Sequence, residues 1–280
     1  MHLKRWLTAI VILPVLIYLI GFVEDEYRWI FYSVLCLFSL AGLNEYYRIT
    51  TPDLPLFVKI ASNLLTILLF ASLIMKQGQL TMSLFPFFIL LPMIYYLFAD
   101  PIKNEHLSSD IAKAVLGPFY VCLPLALLIP IDLQSISPFY KYSYDLKGIW
   151  IFFLLAIIFA NDTGAYYGGK LFGKHKLYRS VSPKKTWEGA ICGVILALFI
   201  SILFLKLFKF HPVDPAIVAV ILILSVAGQV GDLAESMLKR SHNIKDSGAL
   251  LPGHGGVLDR IDSLLFAIPV LYIFLQITIK

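Results

Sequence analysis

The amino-acid sequence predicts an all-α, polytopic integral membrane protein of about nine transmembrane helices. Three observations carry the prediction. Of 280 residues, 59% are hydrophobic and only 15% charged. The mean hydropathy is +0.81, far from that of a soluble domain. The apolar residues also come in runs close to the roughly 20 that a helix needs to cross a bilayer core.

The runs fall at residues 6–23, 29–46, 55–75, 80–99, 111–131, 149–170, 187–208, 215–238 and 257–279, which leaves little chain for a soluble domain. The first, in MHLKRWLTAIVILPVLIYLIGFV, has the basic start of a signal peptide. Its apolar stretch is about 18 residues long, however, and no small-x-small cleavage pattern precedes EDEYR, so a retained span is expected. Spans two to five carry proline and aromatic residues with only scattered charges. Residues 1–147 therefore read as an N-terminal scaffold of about five helices, and 148–280, where polar groups enter the apolar runs, as a catalytic region of about four helices with cytoplasmic loops. No internal repeat or low-complexity segment is visible. Cys36, Cys122 and Cys192 fall inside spans, are odd in number and lack metal-ligand spacing, which marks them as small buried hydrophobes.

The formal net charge of +5 does not call for nucleic acid, because its distribution follows the membrane. With the N-terminus cytoplasmic and the C-terminus on the opposite side, inner segments hold 14 lysines and arginines and outer segments 7, with Lys59 and Arg260 inside spans completing the 23. That bias is the positive-inside pattern. Span six then runs inward and carries Asn161 and Asp162 in its inner half, about 20 Å along a helix rising about 1.5 Å per residue. Span eight ends inside with Asp232, Glu235, Ser236, Lys239 and Arg240 on one face. Span nine starts there with Asp259, Asp262 and Ser263 in the same spacing.

Ionisable groups at membrane depth cost about 3 kcal/mol even on insertion scales, so they face a partner, an ion or water. Carboxylate-bearing faces on two neighbouring spans offer hard oxygen ligands to a cation such as Mg²⁺, which keeps waters and shares substrate phosphates. The plainer alternative is interfacial salt bridging to Lys239, Arg240 and Arg260. The linker PGHGGVLDR, just ahead of a helix and flanked by Lys239, Arg240, Lys245 and Arg260, resembles a phosphate cradle, although a helix start also needs a flexible turn. SPKKTWEG offers Ser182, Lys184, Lys185, Thr186 and Glu188 to an anionic head group or a nucleotide phosphate, and positive-inside sorting alone also explains a basic loop. The small-xxx-small spacings at 164–168, 169–173 and 189–193 read as helix packing. His254 can act as a general acid or base, whereas His242 reads as a solvated loop residue. There is no Ser-His-Asp pattern, zinc spacing or dinucleotide fingerprint.

SMLKRSHNIKDSGALLPGHGGVLDRID, Ser236 to Asp262, resembles the signature of the phosphatidate cytidylyltransferases, the CDP-diacylglycerol synthases. Ser236, Lys239, Arg240, Lys245, Asp246, Gly248, Pro252, His254, Gly255, Gly256, Asp259, Arg260 and Asp262 each meet it. NDTGAYYGG, SPKKTWEG, the length and the polytopic character are similar too. The likeness is strongest over 160–263, and the N-terminal half shares only its hydrophobicity. The resemblance implies transfer of a cytidylyl group from CTP to phosphatidic acid with release of pyrophosphate, a Mg²⁺ requirement, and a bacterial inner membrane or an organelle membrane. A site at the cytoplasmic boundary suits a soluble polyanion that must meet a lipid in the leaflet.

On that footing the expected mechanism is direct in-line attack of a phosphatidate oxygen on the α-phosphorus of CTP. Asp232 and Asp259 are the expected metal ligands, with Asp246, Asp262 and Asp162 as further or outer ligands and room for a second cation. Lys239, Arg240, Lys245 and Arg260 would hold the triphosphate and pyrophosphate. Ser182, Lys184 and Lys185 would receive phosphatidate or nucleotide, with Thr186, Ser236, Asn161, Gly255 and Gly256 in the same site. A cation- or proton-coupled transporter is the rival of another class, but its acids should reach the midplane and open outward. Transfer to another lipid, such as a polyprenol, is the closer rival. The glycine-rich spans also offer a surface for a homodimer.

Overall fold

The computed structural model describes residues 14–99, 106–134, 147–248 and 255–278. Its helices follow the apolar runs. Residues 14–21 form α1, the described part of the first run. After it come α2 (Arg28–Thr50), α3 (Leu56–Ile74), α4 (Gly78–Phe98), α5 (Leu107–Leu133), α6 (Ile149–Phe172), α7 (Trp187–Phe208), α8 (Pro215–Ser241) and α9 (Leu258–Thr278). Among the described residues, the seven helices α3–α9 are long and apolar enough to cross a membrane. The 23-residue α2 is as long, but its last turns carry Asn44, Glu45 and Arg48. On α7, Ile191, Ile195, Phe199, Leu203 and Leu207 recur every four residues and all stand exposed, a stripe that is stable only against lipid. The chain is an integral membrane protein.

Local chemistry sets the ends and irregularities. Asp214 accepts the Ile217 N–H at 2.8 Å and Pro215 occupies the first position of α8, where its missing N–H would have had no partner. Within α5, residues Pro118–Cys122 are π-helical; Pro118 and Pro124 withhold N–H donors and the hydrogen-bond ladder slips between them. One element departs from the all-α expectation. β1 (Lys176–Tyr178) and β2 (Ser182–Thr186) pair antiparallel, with Lys176 opposite Thr186 and Tyr178 opposite Ser182. This charged stretch carries no strand periodicity; α6 and α7, packed side by side and antiparallel, bring its two ends together.

The packing role expected for the glycines is met inside the chain. A Cβ on Gly164 would stand 2.7 Å from the Cys192 carbonyl oxygen, one on Gly189 2.7 Å from that of Ala165, and one on Gly193 2.7 Å from that of Asn161. Backbone thus meets backbone along α6 and α7. In α8, Gly231 sits against the backbone of Asp262 and Ser263 in α9. The cysteines are unpaired, with Cys122 buried and Cys36 and Cys192 half-buried.

Candidate functional site

The charged residues gather at the end of the bundle where α2, α6 and α8 stop and α7 and α9 begin. They form two clusters of different character. In the first, Lys185 of β2 places its Nζ 2.5 Å from Asp232 Oδ2 of α8, and Ser236 donates to Asp232 Oδ1 at 3.4 Å. Asp162 of α6 and Asp262 of α9 lie within electrostatic range of Asp232 and of each other. Asp262 accepts the N–H of Ser263 at 2.7 Å. Neither Asp162 nor Asp262 has a cation at ion-pair distance among the described residues. Three carboxylates from three helices thus lie close together, Asp232 and Asp162 beside Lys185 and Asp262 within electrostatic range of Lys239.

In the second cluster the acids meet donors from the chain itself, two of them sharing one lysine. Lys239 Nζ sits 2.6 Å from Asp259 Oδ1 and also pairs with the buried Glu235. Asp259 Oδ2 accepts the N–H groups of Ser247 at 3.0 Å and Gly256 at 2.9 Å. From α2, buried Glu45 accepts the N–H of Val257 at 3.0 Å, the N–H of Leu258 at 2.9 Å and the Ser247 hydroxyl at 2.8 Å. Arg48 donates to the Ser247 carbonyl. Gly255 takes φ +81°, a left-handed turn that glycine permits. The N–H groups of Gly256, Val257 and Leu258, which sequence reasoning offers to a phosphate, are thus occupied by Asp259 and Glu45, because a carboxylate of the chain satisfies the start of a helix as a phosphate would.

Several other expected residues have structural partners. Asn161 is fully buried; it donates to the Ser225 carbonyl at 3.3 Å and accepts from Gln229 at 2.8 Å. Gln229 also donates to the Ala190 carbonyl at 3.0 Å, so the pair ties α6, α7 and α8 together. The Thr186 hydroxyl caps α7 by accepting the Gly189 N–H at 3.2 Å. Glu188 accepts the N–H groups of Lys174 and His175 and pairs with His175 Nδ1 at 2.6 Å. Lys184, Arg240, Lys245, Asp246 and Arg260 are exposed at this end, and Ser182 is half-buried in β2. His254 and Pro252 lie outside the described residues.

Sequence reasoning missed Glu45, Arg48, Ser247 and Gln229. A signal for the first two was present, since NEYYR sets Glu45 and Arg48 at i and i+3 near the inner end of span two. Salt bridging, the plainer alternative for the acids, accounts for Glu235, Asp259 and Lys239 but leaves Asp162 and Asp262 aside. Among the described residues no three His, Cys, Asp or Glu side chains form a ready-made metal cage. The first cluster nevertheless has the donor chemistry of a hard cation, and Mg²⁺ is commonly held by one or two carboxylates together with substrate phosphates.

Comparison with known sequences identifies the family. The model of the cytidylyltransferase family matches residues 3–278. The phosphatidate cytidylyltransferase of Bacillus subtilis is 37% identical over 177 residues, 63% of this chain and 62% of that protein. That of Staphylococcus haemolyticus is 39% identical over 186 residues, 63% of this chain and 72% of the relative. That of Staphylococcus saprophyticus is 42% identical over 149 residues, 53% and 57% of the two chains. The matched stretch spans less than two thirds of the length of the Bacillus subtilis protein.

Proposed function

The chain belongs to the cytidylyltransferase family, and on that premise we propose that it converts CTP and phosphatidic acid to CDP-diacylglycerol and pyrophosphate in phospholipid biosynthesis. A phosphate oxygen of phosphatidic acid bonds to the α-phosphorus of CTP. The bond from that phosphorus to the oxygen bridging to the β-phosphate breaks, and pyrophosphate leaves with the electron pair. The nucleophile is already ionised, so neither a general base nor a covalent intermediate is needed. The task of the protein is to hold two anions in line.

The observation that carries this reading is the acidic cluster of Asp162, Asp232 and Asp262, drawn from three helices, with Lys185 paired to Asp232. Its carboxylates repel one another and any phosphate, and a divalent cation relieves both repulsions. Asp232 would be the principal ligand, with Asp162 and Asp262 beside it; Mg²⁺ suits this oxygen set, and three carboxylates leave room for a second cation. When bound, the ion supplies charge neutralisation and polarisation of phosphate oxygens. Asp259, expected from sequence as the second ligand, has its carboxylate engaged by Lys239 and two backbone N–H groups, which supports a role in holding Lys239 and the start of α9. Ser182, Lys184 and Lys185 on the hairpin, with Arg240, Lys245 and Arg260 opposite, supply donors to phosphatidate, triphosphate and pyrophosphate.

We place this end of the bundle at the cytoplasmic face of a bacterial inner membrane, with α1 and α2 completing nine spans, the N-terminus inside and the C-terminus outside. The count of 14 inner against 7 outer basic residues supports that orientation. Asp162 is exposed within a 24-residue span, where a charge calls for a water-filled opening, and a lipid head group could reach it there from the leaflet. The test is purified protein in detergent–lipid micelles with labelled CTP, phosphatidic acid and Mg²⁺. Lipid-extractable cytidylate and pyrophosphate should form together and require both the lipid and the metal. A folded preparation that labels a polyprenyl phosphate and not phosphatidate would replace the acceptor.

A further inference from the structure

We propose that Glu45, on the half of the chain whose sequence reads as scaffold, is a positioning residue for cytidylyl transfer. Its carboxylate clamps Ser247 to the start of α9 and so sets Asp259 and Lys239. The inference rests on the reaction proposed above. Glu45 is only 7% exposed, and its carboxylate takes three donors from two separate points of the chain, the Ser247 hydroxyl and the N–H groups of Val257 and Leu258. Two of these are the otherwise unpaired donors of a helix N-terminus, where the helix dipole also favours a negative charge.

The clamp extends beyond Glu45. Arg48, nearly one turn further along α2, donates to the Ser247 carbonyl. The Ser247 hydroxyl, while donating to Glu45, accepts the Asp259 N–H at 3.3 Å, and the Ser247 N–H donates to Asp259 Oδ2. Oδ1 is left to Lys239 at 2.6 Å. An unbroken chain of contacts thus runs from Glu45 through Ser247 and Asp259 to Lys239.

Two glycines of the signature then acquire a reason. A Cβ on Gly256 would collide with the Ser247 hydroxyl oxygen and with Glu45 Oε2, and one on Gly248 would collide with Glu45 Oε1 and crowd Arg48. These glycines make room for a carboxylate of the chain itself. An acid that holds the framework beside the reacting groups, without touching substrate, should affect turnover more than affinity.

The experiment compares Glu45→Gln, Glu45→Asp and Ser247→Ala with the unaltered protein in micelles. Glu45→Gln keeps the volume but sets an amide NH₂ against backbone N–H donors. It should lower kcat by about 10- to 100-fold and leave the KM for CTP within about threefold. Glu45→Asp should recover part of the loss. Glu45→Gln combined with Ser247→Ala should be little worse than Glu45→Gln alone, because both break one clamp. In parallel, amide hydrogen exchange over residues 255–260 should quicken by about tenfold in Glu45→Gln while the other helices keep their protection. Unchanged turnover and exchange in Glu45→Gln would overturn the proposal. So would a loss of activity that only follows the loss of folded protein, with no rescue by Glu45→Asp. If the unaltered protein fails to cytidylylate phosphatidate, the proposed reaction falls, and the exchange measurement still decides the clamp.

Discussion

The two acid clusters at one end of the bundle stand side by side and differ in how many of their carboxylates the chain itself has paired. Asp259 has a lysine and two N–H groups, and Glu45 has two N–H groups and a hydroxyl. Of Asp162, Asp232 and Asp262, only Asp232 has an ion pair among the described residues, with Lys185, and Asp162 stands exposed. A carboxylate that folding has already satisfied can gain little from a ligand, whereas a cluster left with surplus negative charge is arranged for something that arrives later. On the proposed reaction, the difference would separate acids that build the site from acids that bind a ligand. Their spacing on the helices does not, since Asp259 and Asp262 are three residues apart on the same helix.

The comparison can be broken most sharply at Asp232. Asp232→Asn should lower turnover by at least about 100-fold while the protein stays in the membrane and folded; near-normal labelling of lipid would remove Asp232 from the ligand role. Next in size is the metal itself. Chelation should abolish the reaction and Mg²⁺ restore it. Asp162→Asn or Asp262→Asn should raise the half-saturating Mg²⁺ concentration by about tenfold, with Ser247→Ala leaving it unchanged. A shift of equal size in Ser247→Ala would merge the two clusters into one.

Smaller again is Gly256→Ala, which crowds the Glu45 clamp. It should destabilise the protein by about 1–3 kcal/mol, read from thermal unfolding in micelles, and the cost should shrink when Glu45 is shortened to Ala. The smallest effect belongs to Glu188→Gln, which breaks a pair whose His175 side chain is 79% exposed. Turnover should stay within about twofold, as for exposed ion pairs generally. A large loss there would extend the working site to His175 and Glu188.

Much of this was legible before any coordinates. Span eight was expected at 215–238 and runs Pro215–Ser241; span seven was expected at 187–208 and runs Trp187–Phe208. The face carrying Asp232, Glu235, Ser236 and Lys239 follows from helical spacing, and the packing glycines from their four-residue interval. The hairpin was not legible, because the charged residues 176–186 carry no alternation and meet only because α6 and α7 are neighbours. The protein partners of Asn161, Thr186 and Gly256, residues expected beside substrate, were not legible for a related reason, since a polar side chain or a glycine looks the same in sequence whether its partner is a ligand or the protein.

By itself, then, the sequence determined an integral membrane protein with helices of known length and face, a concentration of acids and bases in its second half, and a family. These are local properties, set by composition over about 20 residues and by a period of about 3.6. Only the tertiary structure decided which acids are satisfied, because Glu45 and the donors it holds at Ser247, Val257 and Leu258 lie more than 200 residues apart. Whether a carboxylate is part of the framework or open to chemistry depends on what folding brings to it from elsewhere in the chain.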